Sequence, residues 1–304
     1  MPRLKIGTRG SPLALAQARE TRERLIAARG LDPSDIEIVA ITTTGDRIKD
    51  RPLNEIGGKG LFTKEIEDAL LAGEIQLAVH SMKDLPANLP DGLTIAAVLP
   101  REDPRDAFLS PVANSLAELK AGATIGSSSV RRTAQVLRIR PDLKTVQFRG
   151  NVETRLRKLS EGIADATFLA CAGLNRLGLA DKITAAIPVE VMLPAIAQGA
   201  IGIEIRNDDE VTRRLLTAIN HTESQIAVTC ERAFLKALDG SCRSPLAGLA
   251  TLNGDTLSFR GHALTPDGVH CFETIRTGSA SDAARMGEEA GVEVKTRGGA
   301  LIAF

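Results

Sequence analysis

The chain has 304 residues, 43% of them apolar and 25% charged, a length that divides into two or three cores rather than one. Its 38 Lys and Arg balance 38 Asp and Glu, so no whole-molecule field draws it to nucleic acid or an anionic membrane, and any anion site must be local. With no Trp and no Tyr it lacks the stacking platforms of single-stranded nucleic-acid binders.

The opening MPRLKIGTRGSPLALAQA has no long apolar stretch of the signal-peptide kind, and no run of about 18 apolar residues follows, so a cytoplasmic chain outside the membrane is expected. A strand from Leu4 to Gly7 leads through TRGSP into a helix whose N-cap is Ser11, with Pro12 at the first helical position. Gly30 is a stop, and Ile36 to Ile41 is the next apolar run. Alternation of strand and helix predicts a parallel sheet. The segment Leu61 to Ala72 repeats a helical period through Phe62, Ile66, Ala69 and Leu70, then Gly73 and the strand-like Ile75 to Val79 deliver HSMKD to a strand's carboxyl end, where open α/β sheets bind ligands.

A second series begins near residue 100. Thr124 to Gly126 runs into SSSVRR and a helix that Pro141 terminates. Val146 and Phe148 precede RGNVETRLRKL, and Ala166 to Leu169 precede CAGLNRLGL, so each apolar run hands a basic or polar group to a helix start, where backbone N–H groups favour anions. Ile201 to Ile205 is positioned to return to the first sheet, and two crossings between domains make a hinge. Beyond Asn220 a helix from Gln225 to Leu238 ends in DGSCRSP, and turns at NGD and TPDG separate short strands. The boundaries expected are 1–98 with 200–218, 99–199, and 219–304.

Between Arg131 and Arg176 lie eight Arg and two Lys against four acids, a local excess of six positive charges. Arg138, Arg140 and Arg157 fit solvated helix faces or partners of nearby acids. Arg131, Arg132 and Arg149 each follow an apolar run, and Arg155 comes one to two turns after Arg149. With Arg9, these suit bidentate recognition of carboxylate, although the serine-rich start Ser127, Ser128, Ser129 would equally hold phosphate or simply cap the helix. His80 reads as a structural histidine. Asp84 is either a turn residue or an acid, base or electrostatic stabiliser. GGKGLF lacks the spacing of a nucleotide-binding loop; its glycines suggest a lid in which Lys59 and Phe62 touch ligand. The four cysteines lack metal-ligand or disulfide spacing, and no metal site is expected. Cys242, between Ser241 and Arg243, has a polar setting in which a neighbouring cation favours thiolate.

Taken in order, TRGSPLALAQA, GGKGLF, AVHSMKDLP, REDPRDAF, GSSSVRR, RGNVETRL, LPAIAQGAIGIE and ERAFLKALDGSC resemble the hydroxymethylbilane synthases, also called porphobilinogen deaminases, over nearly the whole chain. The resemblance implies two α/β domains similar to periplasmic binding proteins, hinged around a cleft, and a small C-terminal α+β domain carrying the cysteine loop. It implies a transferase of tetrapyrrole biosynthesis that works as a monomer. Cys242 would carry a dipyrromethane cofactor through a thioether, and four porphobilinogen units would add to that primer, with loss of ammonia, before water releases hydroxymethylbilane. Asp84 matches the catalytic aspartate. Arg9, Ser81, Lys83, Ser127, Ser128, Ser129, Arg131, Arg132, Arg149, Arg155 and Arg176 match the groups that hold the acetate and propionate arms. Ser127 stands where threonine is common and Ser241 where glycine is common, and neither change removes a required group. The rivals are a hinged anion-binding module, which gives Cys242 no role, and an Arg-rich nucleic-acid binder, which neutral charge disfavours.

Overall fold

The computed structural model describes residues 4–47, 62–241 and 244–302. In chain order these form β1 (Leu4–Arg9), α1 (Pro12–Arg29), β2 (Ile36–Ile41), α2 (Thr44–Arg47), α3 (Lys64–Leu71), β3 (Leu77–Ser81), β4 (Leu93–Val98) and β5 (Asp106–Leu109). There follow β6 (Thr124–Gly126), α4 (Val130–Ile139), β7 (Lys144–Val146), α5 (Val152–Ser160), β8 (Ala166–Ala170), α6 (Cys171–Arg176), β9 (Ala185–Ala186) and β10 (Ile201–Arg206). The chain closes with α7 (Glu210–Leu216), α8 (Thr222–Ala237), β11 (Leu246–Asn253), β12 (Thr256–Leu264), β13 (Cys271–Ser279) and α9 (Ala283–Gly298). Two compact units result: Met1–Arg101 with Ala200–Gln225, and Glu102–Gly199 with Ile226–Phe304.

The first unit is a five-stranded sheet in the order β2-β1-β3-β10-β4. Ser11 caps α1 by accepting from Ala14 N–H, Pro12 begins it, and Gly30, at φ 62°, ends it in the left-handed region that glycine enters at least cost. One face of the sheet buries Leu77, Val79, Ile201 and Ile203 against Ala18 and Leu25 of α1 and Leu216 of α7. The other buries Ala78 and Leu93 against Ile66, Ala69 and Leu70 of α3. The purely parallel sheet expected from the alternation is not what forms. β1, β2 and β3 are parallel, but β10 is antiparallel to both β3 and β4, because it enters from the second unit rather than through a helical crossover. The run expected at Ile75 to Val79 is strand only from Leu77, since Ile75 N–H turns back to the Ala69 carbonyl at the end of α3.

The second unit holds a five-stranded sheet, β7-β6-β8-β5-β9, again mixed: β6 runs parallel to β7 and β8, while β5 is antiparallel to β8 and β9. Phe108, Ile125, Phe168 and Met192 fill one core cluster and Phe148, Leu169 and Leu174 another. Phe148 lies beyond β7, so the strand expected to include it stops at Val146. A three-stranded antiparallel sheet, β11-β12-β13, is joined by turns at Gly254 (φ 59°) and Gly268 (φ 75°). Helices α8 and α9 pack so closely that a Cβ on Gly287 would stand 2.0 Å from the Cys230 carbonyl oxygen. Among the described residues no helix is long and apolar enough to cross a membrane.

Candidate functional site

In the first unit a pocket at the carboxyl ends of β1 and β3 is lined by Arg9, Gln17, Phe62, His80, Ser81 and Asp84, among others. Arg9 ends β1 and is already paired: its Nε donates to Asp46 Oδ2 at 3.2 Å, its Nη2 reaches the other carboxylate oxygen, and its guanidinium stacks 4.3 Å from the Phe62 ring centroid. Burial pushes the Asp46 carboxyl up, and the hydrogen bonds from Arg9 and Thr43 more than offset it, so Asp46 sits below the usual carboxylate range. Nothing in the sequence marks Asp46 as part of a site. TGDR follows β2 with nothing local to tie it to an arginine 37 residues earlier.

Ser81 closes β3, with its Oγ 2.8 Å from Nε2 and 3.1 Å from Oε1 of Gln17. The chain then makes a single turn over Met82–Asp84 that buries Met82 and leaves Asp84 exposed and Lys83 half-buried. Gly202 on β10 makes room for that turn, because a Cβ there would stand 1.9 Å from Met82 Sδ. Beside it His80 Nε2 lies 3.1 Å from Glu204 Oε2, the two side chains 5% and 0% exposed. The structural role read for His80 is thus filled by a carboxylate on the strand that arrives last.

In the second unit the three serines after β6 are engaged with the backbone. Ser129 caps α4 by accepting from Arg132 N–H at 3.4 Å, Ser128 accepts from Phe148 N–H at 3.0 Å, and Ser127 from Ser129 N–H at 3.1 Å. Arg131 and Arg132 turn inward. Arg131 donates to Asp106 Oδ2 and to the Leu193 carbonyl, both at 2.7 Å; Arg132 donates to Asp106 Oδ1 through Nε at 3.1 Å and Nη2 at 2.7 Å, and to the Phe168 carbonyl at 2.8 Å. Asp106 is fully buried, a setting that raises its carboxyl, yet the two guanidinium groups outweigh burial and hold it well below 3.8. Two cations on one anion leave a net positive charge at the start of α4.

Arg149 sits in the turn before α5, with its carbonyl accepting from Lys158 at 3.1 Å. Arg155 donates to the Gly150 carbonyl at 2.9 Å, and Gly150, at φ 122°, would bring a Cβ within 2.5 Å of Thr154. Arg176 ends α6 and donates to the Gly199 carbonyl at 3.1 Å. Arg140 and Arg157 pair with Asp142 and Glu161, the second of the two structural roles, solvated face or partner of a nearby acid, open to them. Cys242 and Lys59 lie outside the described residues. Burial pushes the Cys171 thiol up to about 11 and the Cys230 thiol up to about 12, which makes both poor nucleophiles. Among the described residues no group of three His, Cys, Asp or Glu is placed to hold a metal ion.

Two family models match this chain: "porphobilinogen deaminase, dipyromethane cofactor binding domain" over residues 4–214, and "porphobilinogen deaminase, C-terminal domain" over residues 225–296. A porphobilinogen deaminase of Paracoccus denitrificans is 58% identical over 294 residues, covering 97% of this chain and 94% of the relative. One of Nitrobacter winogradskyi is 56% identical, with 97% and 93% covered. Among solved structures, a putative methionine-binding lipoprotein of Bacillus subtilis aligns at TM-score 0.45 and 14% identity, over 72% of this chain and 90% of that one. The chain belongs to the porphobilinogen deaminase family.

Proposed function

We propose that this chain is a hydroxymethylbilane synthase: it takes up porphobilinogen, expels ammonia, and joins four pyrroles into hydroxymethylbilane on a dipyrromethane primer carried by the Cys242 sulfur. The observation that carries this reading is the 58% identity to a porphobilinogen deaminase across 97% of the chain.

The donors present fit a primer with acetate and propionate arms. Guanidinium, ammonium and hydroxyl groups recognise carboxylates, and the chain presents Arg9, Ser81 and Lys83 in the first unit and Ser127, Ser128, Ser129, Arg149, Arg155 and Arg176 in the second. Arg131 and Arg132, locked on Asp106, add fixed positive charge next to those serines. When bound, dipyrromethane supplies the pyrrole carbon to which substrate is joined. Asp84 is exposed on a turn that buried Met82 fixes in place, and its carboxylate accepts from pyrrole N–H groups while stabilising positive charge that develops on porphobilinogen as the amine leaves. Phe62 holds the Arg9 guanidinium flat. We further propose a monomer working in the cytoplasm.

An intact mass of the purified chain tests the reading: an excess of two linked pyrroles, absent in Cys242→Ser, is expected together with ammonia release from porphobilinogen. An active chain carrying no added mass would overturn it. Light scattering checks the monomer and cell fractionation the compartment.

A further inference from the structure

In the second unit a cavity of about 470 Å3 opens between the outer face of α4, the segment after Pro188, and the sheet β11-β12-β13. It shares no residue with the carboxylate-binding set proposed above. We propose that it is a second binding site, built for a small zwitterion that carries an amine and a carboxylate on an apolar or aromatic body.

Charge balance carries the proposal. Arg260 holds Glu273 in a two-pronged bond, Nε to Oε1 at 2.8 Å and Nη2 to Oε2 at 3.2 Å, and Glu190 and Arg138 share the same lining, near enough to act on Arg260 and Glu273 respectively. The lining therefore holds two carboxylates, Glu190 and Glu273, and two guanidinium groups, Arg138 and Arg260, and sums to zero. A simple anion meets as many carboxylates there as guanidinium groups, whereas a ligand with both signs finds a partner for each. Arg138 has capacity to give: its bond to the Val269 carbonyl is 3.4 Å long, weaker than the charge-assisted bond a ligand carboxylate would form. Ile139 and Val191, 44% and 46% exposed, stand on the same lining and would lose water contact to an apolar body.

His262 forms part of the wall. It is 6% exposed, and its Nε2 has no hydrogen-bond partner among the described residues. Burial pushes it down to about 3 against the opposing pull of Glu273, so the wall adds no third cation at neutral pH and the balance of charge is preserved. Cys271, half-buried in the same lining with its thiol raised by burial, serves as a built-in reporter when labelling is run at alkaline pH.

The test is protection of Cys271 in the full chain from iodoacetamide, located by peptide mapping, with calorimetric titration of the same compounds reading binding directly. 3-(Aminomethyl)benzoate should protect, and benzoate and benzylamine, each with one charge, should do so about threefold more weakly or worse. Arg138→Gln and Glu190→Gln, both at exposed positions, should each weaken the zwitterion by about threefold, and Glu190→Gln should leave benzoate no weaker. Absence of binding at ~10 mM, equal binding of the singly charged compounds, or indifference to both substitutions would overturn the proposal.

Discussion

Arg131 donates to Asp106 at 2.7 Å with both side chains sealed inside the second unit, 5% and 0% exposed. Arg132 occupies the other oxygen, so the one acid reached by both arginines lies on β5, 25 residues before the first of them. The pair ties the start of α4 to the beginning of β5.

Asp106→Asn removes the shared anion and leaves two guanidinium groups buried together, so a loss of about 3–5 kcal/mol of stability is expected by thermal or urea unfolding. The pH dependence follows from the same contact. The folded carboxyl titrates well below the ordinary 3.8, so its stabilising contribution is complete above that value and is lost as pH falls beneath it. The parent chain should lose melting temperature steeply below about pH 4, and the variant, already lower, should show a shallower fall.

Asp84→Asn is expected to separate activity from stability. The residue is exposed, so unfolding should shift by less than about 0.5 kcal/mol, while turnover of porphobilinogen drops about a hundredfold or more. Near-normal turnover would remove Asp84 from the mechanism.

Gly202→Ala tests how that aspartate is held. The added methyl would meet Met82 Sδ at 1.9 Å, so the buried Met82 side chain that anchors the turn carrying Lys83 and Asp84 must repack. A stability cost of about 1–3 kcal/mol is expected, with turnover falling about tenfold or more in chain that remains folded.

Thiol labelling distinguishes the cysteines. With Cys171 pushed up to about 11 and Cys230 to about 12, neither should be alkylated in the folded chain at pH 8, and both should react in denaturant. Time-resolved peptide mapping reads each residue separately.

Local chemistry made many of these elements legible. Ser11, Pro12 and Gly30 bound α1, Pro141 follows the end of α4, and the apolar runs at Ile36, Thr124 and Ile201 are strands at the positions read. What depends on distant partners was not legible. The direction of β10 is set by the connection it arrives through, and the pairings of Arg9 with Asp46 and of Arg131 and Arg132 with Asp106 join segments that share no spacing rule. Asp106 did leave a trace, an acid opening the apolar run DAFL, which a buried strand accepts only when a cation meets it. Arg138 read as a solvated helix face, and it is exposed, yet the fold sets it on the rim of a cavity whose other walls come from more than 50 and 100 residues away.

The place of β10 bears on how the polypeptide matures during synthesis. Until Ile201–Arg206 has left the ribosome, β3 and β4 each lack the neighbour that separates them, and both expose unpaired backbone along an apolar edge. The amino-terminal part therefore waits through translation of about a hundred residues in a state open to wrong pairing. A nascent chain stopped just before Ile201 should need chaperone protection, and one extended past α7 should not.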